Sequence, residues 1–139
     1  MSEITVRPMT PDDVDEQVVA SAGITFLEGY LFDPPEAKEA FRAAAAYAHR
    51  AGRRVALTLS DLFCVQRHRD AFRDLVAGHV DVLFANEAEI LALYEVDDFE
   101  RAAAAVRAEC PLAVLTRSEA GAVVVTAEQQ LAVPAHPVQ

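Results

Sequence analysis

Apolar positions along the chain switch repeatedly between a strand-like and a helix-like period, which predicts strands joined by helices. Residues 3–7 (EITVR) read as a short strand. Thr10 then reads as an N-cap, with Pro11 at the first helical position and Asp12 and Asp13 in the first turn. Val14, Val18 and Ala22 follow at helical spacing and predict a helix over 11–21. ITFLE at 24–28 is a short apolar strand that ends at Gly29. Asp33-Pro34-Pro35-Glu36 supplies a cap, a proline at the first helical position and a glutamate three residues after the cap. The helix it starts, over 34–51, carries Ala37, Ala40, Phe41, Ala44, Ala48 and Ala51 as one apolar stripe, and Gly52 is placed to end it in a left-handed conformation. Further strands are predicted at 53–59, 81–84 and 112–116, with helices over 66–77, 86–93 and 98–109 between them. Their apolar sides are Val65, Phe72, Leu75 and Val76, then Ile90, Leu91 and Leu93, then Phe99, Ala102, Ala103 and Val106. Two last strands, 121–126 and 130–134, follow with no helix between them.

Strands separated by helices of ten or more residues imply right-handed crossovers and a parallel sheet. The final strands can only return as antiparallel hairpins. The predicted fold is therefore α/β, a Rossmann-like three-layer α/β/α arrangement with a mostly parallel sheet and an antiparallel hairpin at its C-terminal side. A length of 139 residues suits one domain with a core of its own, and no linker or repeat divides residues 1–139.

Charge narrows the partners. The chain holds 12 Lys and Arg against 22 Asp and Glu, a formal net charge of −10. That argues against a phosphate-tracking nucleic-acid binder and against basic attachment to a membrane surface. No apolar run approaches the about 18 residues that a spanning helix needs, and MSEITVRPMTPDD lacks the pattern of a secretory signal. Cys64 and Cys110 make neither a disulfide framework nor a zinc set, and both are expected as small buried hydrophobes in a reducing cytoplasm. His49, His68, His79 and His136 have no metal-ligand spacing; His49 and His68 fall on solvated helix faces.

Ligands of open parallel sheets sit beyond the C-terminal ends of the strands. Glu28-Gly29-Tyr30, Ser60-Asp61, Asn86-Glu87-Ala88-Glu89 and Thr116 to Gly121 meet that condition. In VLFANEAE, Asn86 and Glu89 have the spacing of a capping box, which by itself accounts for both residues and predicts a partly exposed Glu89. The chemical reading adds that a helix N-terminus at a strand end suits an anion, and that a carboxylate there suits Mg²⁺ held through water. Thr116-Arg117-Ser118-Glu119-Ala120-Gly121 reads first as a hairpin turn with Gly121 relieving strain, and second as a turn whose amides and Thr116 hydroxyl line a nucleotide pocket. Asp61 reads as a cap or turn residue after its strand. There is no Walker-type or Gly-x-Gly-x-x-Gly phosphate loop.

Taken together, LEGYLFDPP at 27–35, VALTLSDLFCVQRHR at 55–69, VDVLFANEAEILALY at 80–94 and VLTRSEAGAVV at 114–124 resemble the PfkB (ribokinase-like) family of sugar and nucleoside kinases, on its adenosine-kinase-like side. The resemblance covers residues 12–139. It implies a ribokinase-like fold and the cofactors ATP and Mg²⁺. Glu89, in the N-x-x-E motif, would help place Mg²⁺ and the phosphates. Asn86, Thr116, Arg117, Ser118 and Gly121 would contact ATP. Ser118 departs from the family's T-x-G-x-x-G turn, where glycine is usual, so the backbone there would approach a phosphate less closely. The resemblance also implies a longer parent that transfers the ATP γ-phosphate to a hydroxyl of a nucleoside or sugar. The family's N-terminal substrate and lid part and its C-terminal D-T-x-G-A-G-D segment are not within these 139 residues. The chain is thus expected to be the central part of a kinase domain, without a catalytic residue of its own and inactive by itself. With sheet edge and helix-packing surface uncovered, it is expected to form a homodimer. The rival readings are a non-catalytic α/β module that oligomerises or binds nucleotide weakly, and an unrelated small Rossmann-like domain.

Overall fold

The computed structural model describes residues 10–29 and 34–135. The predicted strand at 3–7, the Asp33 cap, Tyr30 and His136 lie outside the described residues. The elements are α1 (Glu16–Ser21), β1 (Ile24–Glu28), α2 (Pro35–Arg50), β2 (Arg54–Thr58), α3 (Leu62–Gly78), β3 (Val82–Asn86), α4 (Glu87–Tyr94), α5 (Phe99–Glu109), β4 (Leu112–Thr116), β5 (Ala122–Thr126) and β6 (Gln130–Val133). The six strands form one sheet in the order β1-β2-β3-β4-β5-β6. The first four run parallel, and β5 and β6 are added antiparallel. The α/β class, the parallel set and the antiparallel side are as the sequence predicts.

Strand order that follows chain order has a consequence. With right-handed crossovers throughout, every connecting helix falls on the same face of the sheet. Burial agrees. Leu27, Val55, Leu57, Leu83, Ala85, Ala113, Leu115, Val123 and Val125 alternate along their strands and are all buried with the apolar stripes of α2, α3, α4 and α5. On the opposite face Phe26 and Phe84 are 54% and 39% exposed, and their rings meet across β2 with centroids 6.4 Å apart. Ala56 is buried on that side in register with Phe26, where a larger side chain would part the two rings. Of the three predicted layers, the described residues make up two: the sheet and the helices on one side of it.

Two helices start differently from the sequence pattern. The segment 11–21 is broken, with a 3₁₀ turn at Pro11–Asp13 followed by α1. Asp13 bonds back to the Thr10 amide at 2.8 Å, and Asp15 caps the amides of Gln17 and Val18. Asp13 thus closes the first turn on itself, and Asp15, in extended backbone, opens a new helix by accepting from the amides two and three residues on. α3 begins at Leu62, four residues before the predicted 66, because Asp61 caps it through the Cys64 amide at 2.7 Å. It bends at His68, whose backbone leaves the helical region. Ala51, placed in the α2 stripe, lies past the helix end and is exposed, whereas Gly52 takes the expected left-handed conformation at φ 73°.

Cys64 and Cys110 are buried, as predicted. His49 is at the surface but not simply solvated. Its Nε2 lies 2.8 Å from the Asp81 carboxylate, which also accepts the Val55 amide and so ties α2 to the N-terminal end of the sheet. On the helical side, Arg73 of α3 and Tyr94 of α4 both bond to Glu109 of α5. This brace fixes α4, and with it the end of β3.

Candidate functional site

β3 and β4 are paired so that Asn86 lies opposite Thr116 at their C-terminal ends. Each strand then turns away differently. β3 passes directly into α4, and Asn86 is both the last strand residue and the N-cap. Its Oδ1 accepts the Glu89 amide at 2.8 Å, and Glu89 Oε1 accepts the Asn86 amide at 2.9 Å, a complete capping box. β4 passes into a 3₁₀ turn at Ser118–Ala120, closed by the Arg117 amide bonding to the Gly121 carbonyl at 2.7 Å.

Between these two turns lies a cleft of about 390 Å³, lined by Asn86, Glu87, Ala88, Leu91, Thr116, Arg117 and Ser118. Four residues singled out from sequence therefore share one wall. Glu89 lines a neighbouring cleft of about 260 Å³ with Thr58, Phe84, Asn86 and Thr116. Gly121 lines neither. At φ 92° it sits where a Cβ would run into the Val133 carbonyl, so its visible role is to let the turn pass under β6. Ser118 has φ 50°, the region that glycine enters without cost.

The expected exposure of Glu89 is corrected by the structure: it is 5% exposed. Its reciprocal bond to Asn86 draws the carboxylate in over the end of the sheet, beside Ile90, which is fully buried. Loss of hydration raises its pKa. The Asn86 amide opposes that shift, and the negative charge of Asp61 adds to it. Asp61 itself is held below the usual carboxylate range, chiefly by the Cys64 amide.

Several contacts of the wall carry no local sequence signal. Arg117 reaches across the cleft floor to Glu87 at 2.9 Å, and its guanidinium lies 4.0 Å from the ring centroid of Phe99, the first residue of α5. Thr58 and Phe84 come to the Glu89 cleft only through strand pairing. Ser60, just past β2, has φ 74°, a left-handed backbone of the kind that gathers at functional sites.

A phosphate-bearing ligand needs donors at a strand end, and a divalent cation needs oxygen ligands. The wall supplies the Thr116 and Ser118 hydroxyls, the Asn86 amide group and the Arg117 cation. Among the described residues no three His, Cys, Asp or Glu side chains gather to hold a metal ion. Mg²⁺ commonly keeps several waters and one or two carboxylates while bound to phosphates, and one acidic side chain in such a cleft fits that mode.

The model of the pfkB family of carbohydrate kinases matches residues 2–139. The chain belongs to this family. An adenosine kinase from Sinorhizobium meliloti is 48% identical, with a TM-score of 0.89 over 94% of this chain and 40% of its own. A probable sugar kinase protein from Rhizobium etli CFN 42 is 47% identical, with the same TM-score and the same coverage of both chains. A protein from E. coli assigned as a ribokinase II, solved with ATP and Mg²⁺, is 21% identical with a TM-score of 0.81, over 94% of this chain and 43% of its own, and is alike in fold. The chain spans about 40% of the length of the first two structures. No curated protein matches it. Among the described residues no helix is long and apolar enough to cross a membrane.

Proposed function

We propose that this chain carries the nucleotide side of a nucleoside or sugar kinase, with ATP phosphates held between the start of α4 and the turn after β4. The observation that carries this reading is the register of Asn86 against Thr116, which sets a capped helix N-terminus and a hydroxyl-lined turn on one cleft. Thr116 and Ser118 donate to phosphate or ribose oxygens, Asn86 holds the first turn of α4 open to an anion, and Arg117 supplies the positive charge. Glu89 sits where it can accept from waters of a nucleotide-bound Mg²⁺, and the Asn86 amide keeps that carboxylate oriented. When bound, Mg²⁺ would neutralise charge on the phosphates. Gly121 serves as the turn that sets Thr116 to Ser118 in place.

The protein of which these residues are the nucleotide side transfers the ATP γ-phosphate to a hydroxyl of an adenosine-like nucleoside or a sugar. The 139 residues by themselves bind ATP without turnover. Of the two carboxylates lining the clefts, Glu89 is buried and bonded to the Asn86 amide and Glu87 is paired with Arg117, so both are poorly placed to take a proton from an attacking hydroxyl. The test is titration calorimetry with ATP and Mg²⁺, alongside an assay for phosphorylated nucleosides and hexoses. Binding without product is expected. No binding would overturn the nucleotide reading. Product that disappears in Glu89→Gln would show that these residues form a complete enzyme.

The open sheet face supports a second statement. Ile24, Phe26, Phe84, Leu131 and Val133 are exposed there, an apolar area suited to cover. We propose that the chain self-associates through it as a homodimer, in the cytoplasm.

A further inference from the structure

Of the described residues that line the two clefts, Arg117 alone is cationic, and it is already engaged. Its Nη2 bonds to Glu87 at 2.9 Å. Its plane lies over Phe99, and its Nε is shut away from solvent without a hydrogen-bond partner. The backbone of Arg117 is pinned by its own bond to Gly121. The guanidinium is therefore held by the Phe99 ring as well as by Glu87, on a backbone that is itself fixed, whereas Glu87 stands at the first position of α4 with a side chain 39% exposed. Of the two partners, Glu87 is the one free to swing away.

We propose that Glu87 and the phosphates of a nucleotide compete for Arg117, so that Glu87 sets how tightly the cleft takes an anion. This rests on the nucleotide reading above and adds the residue that limits it. In the structure the carboxylate accepts from one terminal nitrogen of the Arg117 guanidinium and offsets its charge. A phosphate entering the cleft takes the same donor, and Glu87 turns out to solvent. Stacking on Phe99 keeps the guanidinium in place during the exchange, so little ordering accompanies the new bond. The competitor is weak, because half-exposed ion pairs are weak, which makes the exchange an adjustment of affinity and not a block.

The test is a double-mutant cycle of binding, with ATP as the phosphate probe and adenosine as the control without phosphate, at fixed ionic strength. Glu87→Gln keeps the size of a side chain at the surface, and thermal melting checks that each variant is folded. Glu87→Gln is expected to tighten ATP binding about two- to five-fold, the range that an exposed pair accounts for, and to leave adenosine binding unchanged. Arg117→Gln is expected to weaken ATP binding by about ten-fold, the loss of a charge-assisted bond. In the Arg117→Gln background, Glu87→Gln should then have no effect. An equal gain in both backgrounds would assign the effect to general charge repulsion and overturn the competition. So would equal ATP affinity of Glu87→Gln and the unaltered protein. Failure of every variant, the unaltered protein included, to bind ATP would overturn the nucleotide reading and the competition with it.

Discussion

Replacing Asn86, itself exposed at the cleft, by alanine removes the acceptor of an amide that belongs to a buried residue. The Glu89 amide bonds to Asn86 Oδ1 at 2.8 Å, and Glu89 is 5% exposed. The reverse bond, from the Asn86 amide to Glu89, involves main chain on the Asn86 side and can persist. The loss is thus one helix cap together with an amide left unpaired in a mostly closed place. Caps are worth about 0.5–2 kcal/mol, and the burial of Glu89 puts this one in the upper half, about 1.5 kcal/mol. For a domain of this size that corresponds to a fall in Tm of about 5 °C. Urea unfolding followed by circular dichroism measures it, with Asn86→Ser as the control that keeps a side-chain acceptor. The serine variant should lose only a small fraction of what the alanine variant loses. Equal midpoints for alanine, serine and asparagine would refute the capping argument and leave Asn86 to be explained by ligand contact alone.

Burial raises the Glu89 pKa above its unfolded value, so the folded state binds this proton more tightly than the unfolded state does. The stability linked to this proton is fully present below the unfolded pKa and is lost as pH rises through the folded one; Glu89→Gln should therefore be more stable than the unaltered protein at neutral pH and lose that advantage in acid, read from unfolding midpoints across pH. Gly121→Ala should destabilise by more than about 1 kcal/mol, because φ is 92° and the new Cβ meets the Val133 carbonyl; thermal melting reads it. Phe26→Asp, on the open sheet face, should shift the chain from dimer to monomer in light scattering, and an unchanged mass would move the contact elsewhere.

Elements whose signals are local were legible in the sequence. β1 at 24–28 and β4 at 112–116 fall where their apolar runs lie, and the Asn86–Glu89 box is written in four consecutive residues. The start of α3 was legible only through Asp61, readable as a cap or as a turn residue, because Leu62 and Phe63 precede the first residue of its buried stripe and Phe63 is 67% exposed, so periodicity alone begins too late. Burial of Glu89 depends on how α4 closes against the sheet, which spacing does not encode. The stack of Arg117 on Phe99 and its bond to Glu87 join three separate elements, and only the register of β3 with β4 brings them together. The open face, too, follows from strand order and not from composition, since the same alternation would serve a sheet covered on both sides.

Nucleotide is proposed to bind between the start of α4 and the turn after β4. Amide NMR of the labelled protein titrated with ATP and Mg²⁺ tests it most directly. Shifts are expected to concentrate at Asn86 to Leu91 and Thr116 to Gly121, beside the Thr58 strand end. Shifts gathered instead at the opposite end of the sheet, around the cleft of Arg54, Asp81 and Pro111, would contradict it.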